Sequence, residues 1–186
     1  MTATPLFEPG STAELLEGWL LHAHKARDRH EAQARVYEGR RNLVGVPAIV
    51  LSAIVGTSVF ATMQGSPNTL FAVGVGLIAV LAAILAALQT FLDYGGRAAT
   101  HHGAAARYKG IIWEIEQAFS ARHADVDATW LDHLRERLSA LEEAAPVVSR
   151  KIWADTEAAY RSVEVRRDLV VEAGAAGAPA PDHVGG

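Results

Sequence analysis

Residues 43–92 contain no Asp, Glu, Lys or Arg, although the chain carries 17 basic and 21 acidic residues elsewhere. A polar break, Gln64-Gly65-Ser66-Pro67-Asn68, divides this stretch and reads as a tight turn. Before it lie 21 predominantly apolar residues, 43–63, and after it 24 more, 69–92. A helix needs about 20 apolar residues, at about 1.5 Å each, to cross a bilayer's hydrocarbon core. Both halves meet that length. The expected class is an all-α membrane protein: a two-helix transmembrane hairpin with long cytoplasmic helical extensions. The competing arrangement is a hairpin buried in a soluble all-helical domain. Soluble helices keep a polar stripe on one face, whereas Ser52, Thr57, Ser58 and Thr62 are scattered along the first half. A chain of 186 residues also has little left to surround two such helices.

The formal net charge of −4 gives no reason to expect nucleic acid as the main partner, and with no cysteine the chain has no disulfide, thiol nucleophile or thiolate metal site. Residues 1–42 lack the early apolar core of a signal peptide, so the first hydrophobic run is expected to stay as an anchor. Lys25, Arg27, Arg29, Arg35, Arg40 and Arg41 precede the first span, and Arg97, Arg107 and Lys109 follow the second. The turn has no basic residue. The positive-inside rule therefore predicts both termini in the cytoplasm. Little would then be displayed outside for an extracellular receptor.

Residues 1–10, with Pro5, Pro9 and Gly10, read as an irregular N-terminus. Residues 11–172 read as one domain. Ser11-x-x-Glu14 is a capping-box pattern, opening a cytoplasmic helix over 11–42 with Leu15, Leu16, Trp19, Leu20, Ala23 and Ala26 on one face. Its basic run is interrupted by Asp28, Glu31 and Glu38, which favours a solvated, topology-setting face over a lipid or nucleotide site. The first span, 43–63, has Pro47 near its entrance, where a proline costs little. Ala48, Ser52 and Gly56 form a small-residue stripe there, and Ala72, Gly76, Ala79, Ala83 and Ala87 supply another on the second span, 69–92. Such stripes let helix backbones approach closely in lipid. Cytoplasmic helices are expected over 93–172. Asp93 and Arg97 are spaced to pair on one helix face, and Gly95-Gly96 marks a kink. A helix then runs through Phe119, bearing Ile111, Ile112 and Ile115. Another covers 125–145, with Trp130, Leu134, Leu138 and Leu141, and ends at Pro146. A last one covers 149–172, with Trp153, Tyr160, Val163 and Val170. Residues 173–186 read as a disordered tail. The apolar faces must cover one another or equivalent helices of neighbouring subunits.

Eight histidines raise the question of metal. His22 and His24 point apart on a helix, and so do the adjacent His101 and His102. No His-x-x-x-His or His-Glu-x-x-His is present. His30 and His101 are placed to meet across the cytoplasmic ends of two helices, with Asp93 nearby. A hydrogen-bonded pair is the favoured reading over a metal site, and protonation near pH 6.5 would make it pH-sensitive. Glu114 and Glu116 face different ways. No catalytic, cofactor-binding or metal-ligating residue is assigned, and no cofactor is expected. Trp19, Trp113, Trp130 and Trp153 lie far from the turn and read as core or subunit-contact residues.

The text around the first span is distinctive: Arg29-His30, Ala34-Arg35-Val36-Tyr37, Asn42-Leu43-Val44-Gly45-Val46-Pro47, then Ile49 through Phe60. Leu88-Gln89-Thr90-Phe91-Leu92, Arg97-Ala98, His101 and Tyr108 follow the second span. This resembles the SLATT family, the two-transmembrane effector domains associated with SMODS nucleotidyltransferases and SLOG sensors. The resemblance covers residues 19–119 most strongly. It implies an effector of a bacterial antiphage conflict system, held inactive beside a nucleotide-signalling partner and perforating the inner membrane on activation in abortive infection. The chain has no GxxxxGK[ST] phosphate loop, so the signal is expected from a separate protein or through the cytoplasmic helices. Two spans cannot enclose a channel, so a homo-oligomer is expected, with Ser52, Ser58, Thr62 and Gln89 as pore-lining candidates. The alternative is a non-conducting membrane scaffold that anchors cytoplasmic partners. A lipid hydrolase lacks a nucleophile–base set, so the expected role is not enzymatic.

Overall fold

The computed structural model describes residues 9–62, 69–121 and 126–161, and every regular element among them is an α-helix. These are α1 (Thr12–Thr62), α2 (Thr69–Leu92), α3 (Tyr94–Ser120) and α4 (Ala128–Ala144), followed by α5 over residues 150–161. The expected turn at 64–68, the end of the last helix beyond 161 and the tail 173–186 lie outside the described residues.

The expected cytoplasmic helix and first span are one continuous rod of 51 residues. At about 1.5 Å per residue it is roughly 75 Å long, more than twice the hydrocarbon thickness. Its start follows the capping pattern. The Glu14 amide donates to Ser11 Oγ at 3.2 Å, and the Glu14 carboxylate accepts from the Gly10 amide at 2.8 Å. Pro47 lies deep inside this helix rather than in a first turn. There it removes one backbone donor and crowds the Leu43 carbonyl four residues back.

The break between α2 and α3 falls at Asp93, two residues before the expected Gly95-Gly96 kink. Asp93 takes left-handed backbone angles, φ 39° and ψ 49°. Its carboxylate accepts from the Gly96 amide at 3.0 Å and caps α3. A Cβ at Gly96 would collide with that carboxylate, so the glycine makes room for the cap. The expected Asp93–Arg97 relation is a backbone one, the Arg97 amide donating to the Asp93 carbonyl at 3.1 Å.

α2 and α3 together run back along α1, α2 beside its second half and α3 beside its first. The remaining helices pack at the α3 end, forming a helical head. The head's core joins Leu16, Ala23 and Ala26 of α1, Tyr108, Ile111, Ile112 and Ile115 of α3, and Leu134, Leu138 and Leu141 of α4. These positions recur every three or four residues, one face per helix. α4 is capped by Asp127, which accepts from the Trp130 amide at 2.7 Å. α5 is tied to α1 by polar contacts. Glu157 pairs with both Lys25 and Arg29, and the Tyr160 hydroxyl donates to Asp28 at 2.5 Å. The Ser149 amide donates to Gln33 at 2.9 Å, and the Arg29 guanidinium lies 4.4 Å from the Trp153 ring centre.

The other end of the hairpin has no such cover. Leu43, Ile49, Leu70, Leu77 and Phe91 are each at least 68% exposed, and the most apolar windows of both rods are almost wholly open. A soluble core helix would be buried by its own domain. Bare apolar helices of this length need lipid around them.

Two outcomes follow from this packing. Ile115→Ala empties a fully buried site and is expected to lower the head's stability by about 2–5 kcal/mol, measured by chemical unfolding in detergent. At Gly45, a Cβ would meet the Gln89 amide at 3.2 Å. Gly45→Leu is expected to separate α1 from α2 and cost about 1–3 kcal/mol, read in the same way.

Candidate functional site

The paired spans form a narrow seam. Gly45 and Ala48 of α1 and Ala82 of α2 are buried there, while Val75, Ile78, Ala79, Leu85 and Gln89 are half-buried on the same side of α2. Spacings of three and four place these α2 residues along one face. The Gln89 amide fills the space left by Gly45, setting a polar group beside the backbone near one end of the seam.

The small-residue stripes divide between this seam and the outside. Ala48 and Ala79 belong to the seam. Ser52, Gly56, Ala72, Gly76, Ala83 and Ala87 are exposed. Nothing lies within 4 Å of a Cβ built at Gly56, Gly74 or Gly76, so no neighbour within the chain requires glycine there. Of the pore-lining candidates, Ser52 is exposed, Ser58 and Gln89 are half-buried, and the side chain of Thr62 lies outside the described residues. Ser52 donates to the Ala48 carbonyl at 2.8 Å and Ser58 to the Ile54 carbonyl at 2.7 Å. Thr57 and Thr90 bond back to their own helices in the same way. Hydroxyls satisfied like this tolerate lipid, yet still present a weakly polar surface to water.

Just beyond the apolar stretch, α1 and α3 are joined by a column of rings. Tyr94 stacks on Tyr37 at 6.1 Å, Tyr37 on His101 at 5.6 Å, His101 meets His30 at 5.2 Å, and His30 stacks on Tyr108 at 5.8 Å. The register explains the column. Positions 30 and 37 are seven apart on α1, and 94, 101 and 108 are seven apart on α3, as two antiparallel helices with a repeating seam require. The His30 and His101 Nδ1 atoms are 2.9 Å apart, and the residues are only 5% and 3% exposed. One ring must donate and the other accept, so at least one is neutral.

Burial pushes the His30 pKa down to about 4, helped by His101 and then by Arg29. His101 is lowered by burial and by the adjacent His102. Tyr108 is raised to about 12, again chiefly by burial and then by Glu142. Stacking on a tyrosine face returns about 0.5–2 kcal/mol to an imidazolium, which does not offset the loss of water in so closed a seam. The meeting of His30 and His101 was legible in the sequence. The three tyrosines were missed, though their seven-residue spacing from the histidines was the signal. Asp93 is committed to the α3 cap, and among the described residues no group of three or more His, Asp or Glu could hold a metal.

Outside the column, His102 contacts Glu38 at 3.0 Å, and the Arg41 side chain lies against Gly95. Trp19 and Trp130 flank the head core. Trp113 and Trp153 instead remain 61% and 51% exposed, with Lys109 above the Trp113 ring at 4.9 Å.

No curated protein and no solved structure gives a significant match to the chain. Residues 17–165, spanning both apolar helices, the ring column and the head core, match the family model described as SMODS and SLOG-associating 2TM effector domain family 4. With two membrane-spanning helices and an all-helical head, the chain belongs to this family of two-transmembrane effector domains.

Proposed function

We propose that the protein is a homo-oligomeric inner-membrane effector of a bacterial antiphage system, and that it opens a pore when a nucleotide-linked signal from a separate partner reaches the helical head. The observation that carries this reading is the outward small-residue surface. Gly56 and Gly76 have open space around them within the chain. In lipid, such surfaces favour close contact with another helix. A second copy would supply it. A single hairpin cannot enclose water, and a ring of hairpins would bring Ser52, Ser58 and Thr62 towards an axis, with Gln89 reaching the inner mouth only by leaving its place beside Gly45. Weakly polar linings of this kind suit a broad, unselective hole. The flanking Arg40, Arg41 and Arg97 favour a cytoplasmic head with both termini on that side. The action is physical rather than enzymatic.

The decisive measurement is dye release from liposomes carrying the purified protein, with and without a separate nucleotide-signalling partner protein. Release that depends on the partner is expected. Gly56→Leu is expected to reduce it tenfold or more while leaving the monomer folded, because among the described residues nothing lies within 4 Å of a Cβ at that position. Absence of release under both conditions would defeat the pore.

The second reading is a non-conducting scaffold, favoured by the exposed Trp113 and Trp153 on the head. Under it, Gly56→Arg is tolerated wherever the hairpin still inserts. Under the pore reading the same change abolishes cell killing.

A further inference from the structure

The ring column holds α1 against α3 at the point where the spans meet the head. Its centre is the only place in it where two nitrogens share one proton. We propose that the His30–His101 pair is a proton-operated clasp: acid on the side that bears the head uncouples α1 from α3 beneath the spans.

The chemistry follows from the 2.9 Å Nδ1–Nδ1 contact. In the neutral pair, one ring donates its Nδ1 proton and the other accepts through the bare Nδ1 lone pair. A first added proton goes to the unprotonated Nε2 of the donor ring. The bond survives, but a cation now sits in a seam that excludes water. A second proton takes the acceptor's lone pair, and two N–H groups then face each other at a distance that only one proton allows. The rings must part, and each is stacked on a tyrosine of the opposite helix: His30 on Tyr108 and His101 on Tyr37. Parting them therefore opens the column on both sides of the pair.

The charged and titratable surroundings favour this outcome. On α1, Arg29 lies next to His30 and disfavours a second cation. On α3, His102 does the same for His101, and its own contact is with Glu38 of α1. Tyr108 stays protonated and neutral. Glu142 of α4 acts on Tyr108 rather than on the pair, and Glu157 of α5 is engaged by Lys25 and Arg29. α2 carries no charged residue. Among the described residues, the hydrogen bond at each Nδ1 runs to the other ring and not to a carboxylate that could hold a doubly protonated pair. Because the folded His30 value lies below the unfolded one, the clasp is fully closed above pH 6.5. It weakens as pH falls from there towards about 4. The device does not depend on whether the hairpins form a pore.

The test uses the full chain in lipid nanodiscs. The absence of cysteine allows two spin labels at chosen sites, and Arg35→Cys on α1 with Ala99→Cys on α3 places both on exposed positions. The interlabel distance should be single and narrow at pH 7.5. A longer population should grow between pH 6.5 and 4.5, several-fold over its starting fraction. His30→Phe with His101→Phe keeps the stacked rings and removes the titration, so the longer population should not appear. The unlabelled wild-type chain gives a readout that needs no histidine variant. The 15N shifts of the two rings should show uptake of the second proton over the same pH range as the distance change. A distance distribution unchanged to pH 4.5 overturns the proposal. So does a double variant that responds as the wild type does, which would assign the change to Glu38, Glu142 or Glu157. Ring protonation without separation overturns it as well.

Discussion

Everything in this molecule depends on the uneven cover given to one long helix. α1 is a single rod, yet only its first half is surrounded by protein. The second half touches α2 along a narrow seam and leaves its remaining faces bare. Water would not tolerate that much contiguous apolar surface on a small chain. Lipid would, provided every backbone group is satisfied within the helices. The side-chain hydroxyls of Ser52, Thr57 and Ser58 meet the same demand by bonding to their own helix. Membrane residence is thus a consequence of what the fold declines to bury.

The two halves are held by different forces. The head has a true apolar core, in which Leu16, Ile115 and Leu134 lose all contact with solvent. At about 25 cal/mol per Å² of apolar surface, such burial dominates its stability. The seam between the spans cannot use that force, because lipid is as apolar as the side chains. It relies on close packing around Gly45, Ala48 and Ala82. The ring column stands between the two regimes. It is flat, aromatic and nearly dry, and it carries a buried hydrogen bond between side chains of α1 and α3. α5 differs again, being joined to α1 by Glu157, Asp28 and Gln33 while burying Ile152 and Thr156. Its ion pairs are largely buried, Lys25 and Arg29 keeping only 11% and 12% of their side chains exposed, so removing one partner would leave a charge without its counter-ion.

These features bear on effector action in a simple way. An effector must be quiet until signalled, and a single hairpin is quiet because it encloses nothing. Among the described residues nothing crowds the outward Gly56 and Gly76, whereas Gly45 makes room for Gln89. That contrast separates residues that build the monomer from residues available to an assembly.

The charge-free stretch by itself determined the class of the protein and the number of apolar rods, because spanning length and absence of charge are local properties. The helical faces of the head were equally legible in the spacing of Leu134, Leu138 and Leu141 and of Ile111, Ile112 and Ile115. Tertiary structure alone decided the rest. It merged two expected segments into one helix through Pro47, since a neighbouring rod and not local propensity determines whether a proline ends a helix. It put the break at Asp93 rather than at Gly95-Gly96, because the capping carboxylate needed the space that glycine leaves. It turned Ala48 inward and Gly56 outward although both sit on one stripe, because an antiparallel neighbour covers only part of a helix's circumference. It also brought Tyr37, Tyr94 and Tyr108 to the histidine pair: the seven-residue spacings mark a face on each helix, but which two faces meet, some seventy residues apart, is set by the packing.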